Sequence, residues 1–487
     1  MDVRVGTSSM IGWVVVSSSI GVFMRRCLIL VLIVILGAAT TEAAPDSLPP
    51  RWQQVARDVL KDVVNVNTAQ GGEGTTKAAQ VVAEYLRRAG FADADISLAG
   101  PDPKNLNLIV RFHGTRASAR PMLQIAHLDT VTANKADWTT DPFVFTEKDG
   151  WWYGRGIVDD KSGVGTVVTS LLRWKQDGFT PSRDIVTIIT SAEETDAATG
   201  MGWIVANRPD LINAEFCLNT DAGGGDLDHG KPVVFSLSAA EKVYQSYRLE
   251  TTNAGGHSSL PRPDNAIYQL AAALTKLAAY KFPAQLTEIS RQSLLKAADI
   301  HGGEEGADMR AVAANPGDQA AVERLSRTPG LNSMLRTTCV ATRLEGGHAD
   351  NALPQRATAI VNCRILPGVD PASVQQELAR VIGDAAVTIQ PVERAHPSPP
   401  TPLNPAIVGP IEDVVREMWN VPVVPIMESG ASDGLFLRVA GVPTYGIAGL
   451  FEDSEDIRDH GRDERIDPQR YYDAVAFWDR VVRVLLK

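Results

Sequence analysis

A histidine and an aspartate lie together at the end of a buried strand in this sequence. The apolar run Met122–Ala126 is followed directly by His127-Leu128-Asp129. Side chains at positions i and i+2 of an extended segment share one face, so His127 and Asp129 leave the strand on the same side. A histidine whose second ring nitrogen contacts a carboxylate is a common metal-ligand arrangement. The pair therefore predicts a metal site at this strand end.

Further acidic groups and one more histidine follow turns or buried strands along the chain. They are Asp159, Glu193, Glu194, Asp221 and His460. Each of them alone is more often an ordinary surface side chain than a ligand. Ligands of an open α/β sheet, however, gather at the carboxyl ends of its strands, where these residues are expected to meet.

The residue types in this set suit a pair of divalent metal ions. Two ions about 3.5–4 Å apart need a bridging carboxylate and further ligands for each ion. We expect Asp159 to bridge, His127 and Asp221 to hold one ion, and Glu194 and His460 to hold the other. Nitrogen and oxygen ligands of this kind favour two zinc ions, with cobalt or manganese as alternatives.

Two residues beside these ligands are assigned to catalysis. Glu193 adjoins a ligand without serving as one, which makes it the expected general base on the catalytic water. Asp129 is expected to fix the tautomer of His127 by contacting its second ring nitrogen.

The pattern of helices and strands predicts an α/β fold with three layers and a largely parallel sheet, because helical and buried-strand segments alternate. The expected helices are Arg51–Val64, Thr75–Ala89, Gly163–Trp174 and Leu403–Trp419, and the expected strands are Leu106–Phe112, Met122–Ala126, Ile185–Thr190, Ala214–Asn219 and Val421–Met427.

From about Glu241 the pattern changes to that of a small α+β domain. Strand, helix, two strands, helix and strand follow in order, with a polar stretch at His301–Asp318, and this order predicts a ferredoxin-like fold. The segments are Val243–Thr252, Asn265–Leu277, Arg336–Leu344, Ala357–Ile365, Pro371–Gly383 and Ala386–Gln390. We therefore predict a catalytic domain built from two stretches of chain, 45–238 and 394–487, with a lid or dimerisation domain inserted between them at 239–393.

Residues 1–44 are typical of a secretory signal peptide. Arg25-Arg26 precede the apolar run Cys27–Ala39, and small residues follow at a plausible cleavage point. Met24 is an alternative start of translation. We expect export to a periplasmic or secreted location, without stable membrane association after processing; an uncleaved N-terminal anchor is the alternative.

Charge and cysteine content limit the partners and the compartment. The net charge is −11 and there is no basic block, which argues against nucleic acid or an anionic membrane as partner. Cys339 and Cys363 lie in two strand-like runs. The sequence leaves two alternatives for them, a disulfide between the two strands or two buried free thiols.

The motifs together resemble the dizinc metallopeptidase family of carboxypeptidase G, aminoacylase, carboxypeptidase S and succinyl-diaminopimelate desuccinylase. The family pattern is HxD, GRGxxD(D/M)K, EE with a downstream glycine, Asp or Glu, and a distant His, and the likeness runs from about Arg51 to the C-terminus. The HSSLP segment at 257–261 and the long lid are similar to the carboxypeptidase S-like branch. The resemblance implies a zinc-exopeptidase-like catalytic domain that carries the predicted insertion.

The same resemblance implies roles for residues of the lid and of a glycine-rich turn. His257 matches the histidine that stabilises the tetrahedral oxyanion, often across a homodimer formed through the lid. Asn351 and Arg364 match positions that contact a substrate carboxylate or carbonyl. Gly430, in the segment Ser429–Gly434, matches a turn that lines the substrate pocket.

The expected function is hydrolysis of an amide bond by an exported dizinc enzyme, most simply a carboxypeptidase-type exopeptidase acting on short peptides. An N-acyl-amino-acid amidohydrolase is the alternative, and an aminopeptidase or dipeptidase is third. A non-catalytic exported binding protein would belong to another class, but the complete set of ligands and the base argue against it.

Overall fold

The computed structural model describes residues 47–195, 199–453 and 455–487. The predicted signal peptide, residues 1–44, lies outside these ranges, as does the alternative start at Met24.

Helices account for much of the described chain. They are α1 (Pro50–Val64), α2 (Thr75–Arg88), α3 (Lys161–Asp177), α4 (Met201–Asn207), α5 (Pro209–Ile212), α6 (Ala266–Ala279), α7 (Glu288–His301), α8 (Gly303–Ala314), α9 (Gln319–Leu325), α10 (Pro329–Leu335), α11 (Pro371–Ile382), α12 (Pro405–Trp419), α13 (Gly434–Val439) and α14 (Pro468–Leu485).

The strands build one large sheet and three smaller ones. They are β1 (Ile96–Asp102), β2 (Asn105–Phe112), β3 (Met122–His127), β4 (Thr146–Lys148), β5 (Trp151–Tyr153), β6 (Ile185–Thr190), β7 (Phe216–Asn219), β8 (Gly224–Asp228), β9 (Lys231–Glu241), β10 (Val243–Thr252), β11 (Gly256–His257), β12 (Thr338–Gly346), β13 (Ala352–Leu353), β14 (Arg356–Ile365), β15 (Thr388–Pro391), β16 (Val423–Glu428), β17 (Thr444–Gly446), β18 (Phe451–Asp453) and β19 (Arg465–Ile466).

The large sheet has ten strands in the order β1-β2-β6-β3-β7-β17-β9-β8-β18, with β16 also paired to β9. Its centre is parallel, since β3 pairs in parallel with both β6 and β7. The expected α/β fold is confirmed, but the sheet is mixed rather than largely parallel. One cause is the hairpin of β8 and β9, whose two linking residues, His229 and Gly230, have φ angles of 49° and 78°. Two positive φ values in a two-residue loop are the geometry of a tight antiparallel hairpin.

Helices cover both faces of this sheet, as the alternating side chains of β3 require. Met122 and Ala126 join the apolar cluster that includes α1, α3 and α14, whereas Leu123 and Ile125 join the cluster on α4 and α13. The three-layer arrangement is therefore confirmed. It buries β3 completely, so that the polar groups at its end are held by a rigid strand.

The second sheet is the lid sheet, with strands in the order β12-β14-β10-β15 and antiparallel pairing throughout. Helices α6 and α11 pack on it through residues such as Leu270 and Leu378, which share a cluster with Leu249 and Val361. This is the predicted ferredoxin-like arrangement. The domain boundaries at 239 and 393 stay predictions.

The segment between α6 and β12 differs from the expectation of a polar stretch at His301–Asp318. It contains four helices, α7 to α10, with an apolar cluster of their own that includes Leu294, Met309 and Val322. Two glycines of this stretch, Gly302 and Gly303, lie where α7 and α8 join, and their φ angles are 64° and 54°. Left-handed backbone at such a junction favours glycine, so these glycines end one helix and let the next begin.

The structure also shows the state of two cysteines and the character of the helices with respect to a membrane. Cys339 and Cys363 lie opposite each other in β12 and β14 and form a disulfide, which decides between the two alternatives. Within the described ranges, none of the helices combines the length and apolar character needed to cross a bilayer.

Candidate metal centre

The candidate ligands converge at one edge of the large sheet. His127 ends β3, Glu193 and Glu194 follow β6, and Asp221 follows β7. These three strands are neighbours and run in parallel, so their carboxyl ends lie side by side. Asp159 joins them from the turn that leads into α3.

Asp159 lies between the two histidines. Its Oδ1 is 2.9 Å from Nε2 of His127, and its Oδ2 is 3.0 Å from Nε2 of His460. Each oxygen of one carboxylate therefore faces a different imidazole. That is the arrangement expected of a carboxylate that bridges two metal ions.

The outer ligands complete two groups around this bridge. Asp221 Oδ1 is 3.6 Å from Nε2 of His127, and Glu194 Oε1 is 2.8 Å from Nε2 of His460. Two donors each about 2.1 Å from a tetrahedral zinc ion are about 3.4 Å apart. The four observed separations, from 2.8 to 3.6 Å, lie on either side of that value, so the donor set fits two ions held as predicted.

Glu193 and Glu194 direct their carboxylates to different groups. One oxygen of Glu193 lies within 4.8 Å of ligand atoms of both His127 and Asp221, whereas Glu194 joins Asp159 and His460. Burial raises the pKa of Glu193 well above its ordinary value, and the carboxylate of Asp221 adds to the rise.

The centre concentrates negative charge in a buried place. Burial raises the pKa of Asp221 well above its ordinary value. Hydrogen bonds to Asp159 and Glu194 raise the pKa of His460 to about 10. Burial acts to lower the pKa of His127, but Asp221 and the other nearby carboxylates outweigh it and raise that pKa. Carboxylates in such excess over cationic groups suit divalent cations.

Asp129 contacts His127 differently from the prediction. The backbone carbonyl of Asp129, 3.0 Å away, is the nearer partner of His127 Nδ1, while its Oδ1 is 3.6 Å away. Its carboxylate instead accepts the backbone N–H groups of Glu193 at 2.9 Å and Glu194 at 3.0 Å. Asp129 therefore fixes the glutamate turn with its side chain and His127 with its backbone.

Asp160 is a positioning group to which the motifs assigned no role. Its Oδ2 accepts the backbone N–H of His127 at 3.2 Å and the hydroxyl of Thr220 at 2.8 Å. Asp160 thereby joins the turn before α3 to the ends of β3 and β7. The sequence did contain one indication of this role, because Asp160 directly follows Asp159 in the DDK motif.

Glu464 was also missed, although it follows the predicted ligand His460 by four residues. Its buried carboxylate pairs with Arg155 at 2.7 Å and accepts the backbone N–H groups of Gly156 at 2.8 Å and Val158 at 2.9 Å. These bonds tie the loop that carries His460 to the turn that carries Asp159.

Two predicted lid residues lie on a small exposed ribbon. His257 in β11 is paired with Ala352 in β13, and its Nδ1 is 2.7 Å from the hydroxyl oxygen of Ser259. The carbonyl of Asn351 accepts the N–H of Ser258 at 3.1 Å. The structure therefore brings His257 and Asn351 together, on the lid and in contact with solvent.

Arg364 reaches from the lid sheet to the glycine-rich turn. Its guanidinium donates to the carbonyl of Ser429 at 3.2 Å and lies 4.8 Å from the ring centre of Tyr244. Gly430, the next residue of the turn, is exposed and has open space beside its Cα. Arg364 and Gly430 therefore lie at one place, between the lid and the catalytic domain.

The family model described as peptidase family M20/M25/M40 matches residues 123–484. The chain belongs to this family. The match spans all the metal-ligand candidates from His127 to His460, and it confirms the resemblance found in the motifs.

Curated relatives fall into peptidase-like and acyl-amino-acid groups. Human N-fatty-acyl-amino acid synthase/hydrolase PM20D1 is 27% identical over 75% of this chain and 74% of its own length. The probable carboxypeptidase S-like 2 of Dictyostelium discoideum is 28% identical over 78% of this chain and 74% of its own length. Human aminoacylase-1 is 23% identical over 90% of this chain and 96% of its own length.

Solved structures share the fold. The M20 family metallo-carboxypeptidase Sso-CP2 of Sulfolobus solfataricus superposes with a TM-score of 0.66 at 17% identity, over 89% of this chain and 99% of that chain. Human carnosine dipeptidase 1 gives a TM-score of 0.64 at 17% identity, over 90% and 99% of the two chains. Together with the ligand groups at the sheet edge, the family assignment makes this protein a metal-dependent peptidase or amidohydrolase.

Proposed function

We propose that this protein is an exported dizinc carboxypeptidase, which releases the C-terminal amino acid of short peptides. The observation that carries the proposal is Asp159, whose two oxygens each face one imidazole at 2.9 and 3.0 Å. A bridged pair of metal sites is one arrangement that hydrolytic enzymes, aminopeptidases among them, use to cleave a bond with water.

The residues that would hold the ions are His127 and Asp221 on one side, Glu194 and His460 on the other, and Asp159 between them. Bound there, zinc ions would polarise the scissile carbonyl and make water a better nucleophile near neutral pH. Cobalt and manganese suit the same donors.

Glu193 is the general base of the proposed reaction. Its carboxylate faces the His127 and Asp221 side of the centre, within 4.8 Å of their ligand atoms. It takes a proton from the attacking water and returns it to the nitrogen of the leaving amino acid. Asp129 holds Glu193 in place for this transfer through the backbone N–H of that residue.

Arg364 is the group that we propose for recognition of the substrate carboxylate. Guanidinium groups match carboxylates in geometry and charge. Arg364 already lies against the turn at Ser429, on the side of the lid that faces the catalytic domain. Asn351 supplies a polar contact to the substrate in the same proposal, and Gly430 leaves room beside the turn.

His257 stabilises the oxyanion in the proposed reaction, and we propose that it does so across a homodimer. It lies on an exposed ribbon of the lid. The lid sheet ends in β12, an edge strand on which Val340 and Leu344 are 60% and 66% exposed. Exposed edge strands with apolar side chains readily pair with another chain.

Export of the enzyme is supported by the disulfide between Cys339 and Cys363. Disulfides persist mainly in oxidising compartments, such as the periplasm and the extracellular space. The N-terminal segment predicted as a signal peptide agrees with this proposal.

Hydrolysis of N-acyl amino acids is the second candidate. It is favoured by the likeness to N-fatty-acyl-amino acid synthase/hydrolase PM20D1 and to aminoacylase-1. The chemistry and the free carboxylate of the substrate are the same in both reactions, so the acyl side of the scissile bond distinguishes them.

One set of substrates separates the candidates. Dipeptides and tripeptides, the same peptides with C-terminal amides, and amino acids with short or long N-acyl chains would be compared by kcat/KM. A carboxypeptidase cleaves the free peptides best and loses activity when the carboxylate is amidated. Preference for N-acyl amino acids over free peptides would replace the first candidate with the second, and activity that needs only a free amino terminus would contradict both.

A further inference from the structure

A buried chain of hydrogen bonds starts at the metal-ligand residue Asp221. Asn219 Oδ1 accepts the backbone N–H of Asp221 at 3.1 Å, and Asn219 Nδ2 donates to Ser432 Oγ at 3.1 Å. The Ser432 hydroxyl in turn donates to Glu241 Oε1 at 2.7 Å. Asn219, Ser432 and Glu241 are each 4% exposed or less.

Each hydrogen bond of this series requires the particular donor and acceptor that are present. Ser432 Oγ accepts from Asn219 and from the N–H of Gly434 at 3.2 Å, so its single hydrogen is committed to Glu241. Glu241 also accepts the N–H of Ser432 at 3.1 Å and pairs with Arg438 at 2.5 Å. An amide, a hydroxyl and a carboxylate thus follow one another in a fixed order of donors and acceptors.

The chain connects three parts of the active region. Asn219 ends β7, the strand that leads to Asp221, and Glu241 ends β9, just before the lid sheet begins. Ser432 lies in the glycine-rich turn at 429–434, whose first carbonyl accepts from Arg364 of the lid. Consecutive buried hydrogen bonds of this kind restrict the positions of the groups that they join.

We propose that Asn219, Ser432 and Glu241 are positioning residues, which hold Asp221 and the turn at 429–434 in a fixed relation. The position of the substrate bound against the turn, relative to the ion held by Asp221, is thereby fixed. The kinetic part of this inference rests on the proposed function, whereas the metal-binding part depends only on the ligand set.

The test compares Glu241→Gln, Asn219→Asp and Ser432→Ala with wild type. The first two keep the size of the side chain but reverse a donor or an acceptor, and the third removes the hydroxyl. Thr401→Val is the matched control, because the buried Thr401 hydroxyl donates to the carbonyl of Thr444 at 2.8 Å in the same domain. Zn²⁺ affinity is measured by competition with a chelator, together with kcat, KM and the unfolding temperature.

We expect one of the two zinc ions to bind roughly 10–100-fold more weakly in the three variants, as is usual when groups that orient metal ligands are changed. We also expect a rise in KM, because the turn shifts, and a fall in kcat. Thr401→Val is expected to lower only the unfolding temperature.

The proposal is wrong if all the variants that fold bind two zinc ions with wild-type affinity and keep kcat and KM. The three residues would then have a purely structural role. If wild type cleaves no peptide or N-acyl amino acid, the proposed function fails, but the zinc competition still tests the positioning role.

Discussion

At the scale of single residues, the sequence predicted which side chains meet but not everything that holds them. His127, Asp159 and His460 have types and spacings that belong to one chemistry, and the structure brings them together. The roles of Asp160 and Glu464 depend on backbone N–H groups from distant turns. Such partners are defined only once the chain has folded, so motif spacing could not reveal them.

Glu193→Gln is expected to lower kcat by roughly 10²–10⁴-fold, the usual contribution of a general base. An amide cannot take the proton from water, but it keeps the shape of the side chain. Metal content is expected to stay at the wild-type level, because Glu193 is not an assigned ligand. Steady-state kinetics and elemental analysis of the same preparations check this.

Glu194→Gln is the matched control, since it changes the adjacent ligand and is expected to reduce bound metal as well as activity. Unchanged turnover in Glu193→Gln would contradict the role of base. Loss of metal in that variant would instead make Glu193 a ligand.

Arg364→Ala is expected to lower kcat/KM for peptides with a free carboxylate by about 10–150-fold, the value of a hydrogen bond to a charged group. The same substitution should change the poor cleavage of amidated peptides much less. Arg380→Ala is the control, because Arg380 is an exposed residue of α11 in the lid that pairs with Glu377. Equal losses on both kinds of peptide would contradict carboxylate recognition by Arg364.

At the scale of elements, strands were the most reliable prediction. Ile185–Thr190 and Val243–Thr252 have the predicted bounds, because apolar runs and alternating patterns define strands locally. Two kinds of element were missed. The hairpin at His229-Gly230 lacks the usual asparagine signal. Helices α7 to α10 share an apolar cluster of their own, and α8 lies within the stretch that was predicted to be polar.

Glu464→Ala is expected to reduce the free energy of unfolding by about 3–5 kcal/mol, the cost of removing one partner of a buried ion pair. Arg155 would be left without its carboxylate, and the loops that carry Asp159 and His460 would separate. Chemical denaturation measures the change in stability, and competition with a chelator measures whether zinc binds more weakly.

Lys135→Ala is the control for that experiment, because Lys135 forms an exposed pair with Asp141. Exposed pairs contribute about 0–1 kcal/mol. A loss of stability in Glu464→Ala no larger than in the control would show that the loops are held by other contacts.

At the scale of the whole molecule, the order of elements determined most of what could be predicted. The return to an α/β pattern at Leu403–Trp419 and Val421–Met427 indicated an insertion, and β16 does rejoin the large sheet beside β9. The antiparallel pairing of β2 with β6 joins segments that are distant in the sequence, which no local pattern encodes. How the lid approaches the metal centre is likewise set by contacts such as Arg364 with Ser429.

The bridged metal centre is best tested by the metal content of the purified protein, measured by elemental analysis in wild type and in Asp159→Ala. Asp137→Ala, which changes an exposed aspartate, is the control. We expect about two zinc ions per chain in wild type and control, as a bridged site requires, and a sharp fall in Asp159→Ala together with loss of amide hydrolysis. Wild-type protein without bound metal, whose activity zinc, cobalt or manganese does not restore, would contradict the assignment of a dizinc hydrolase.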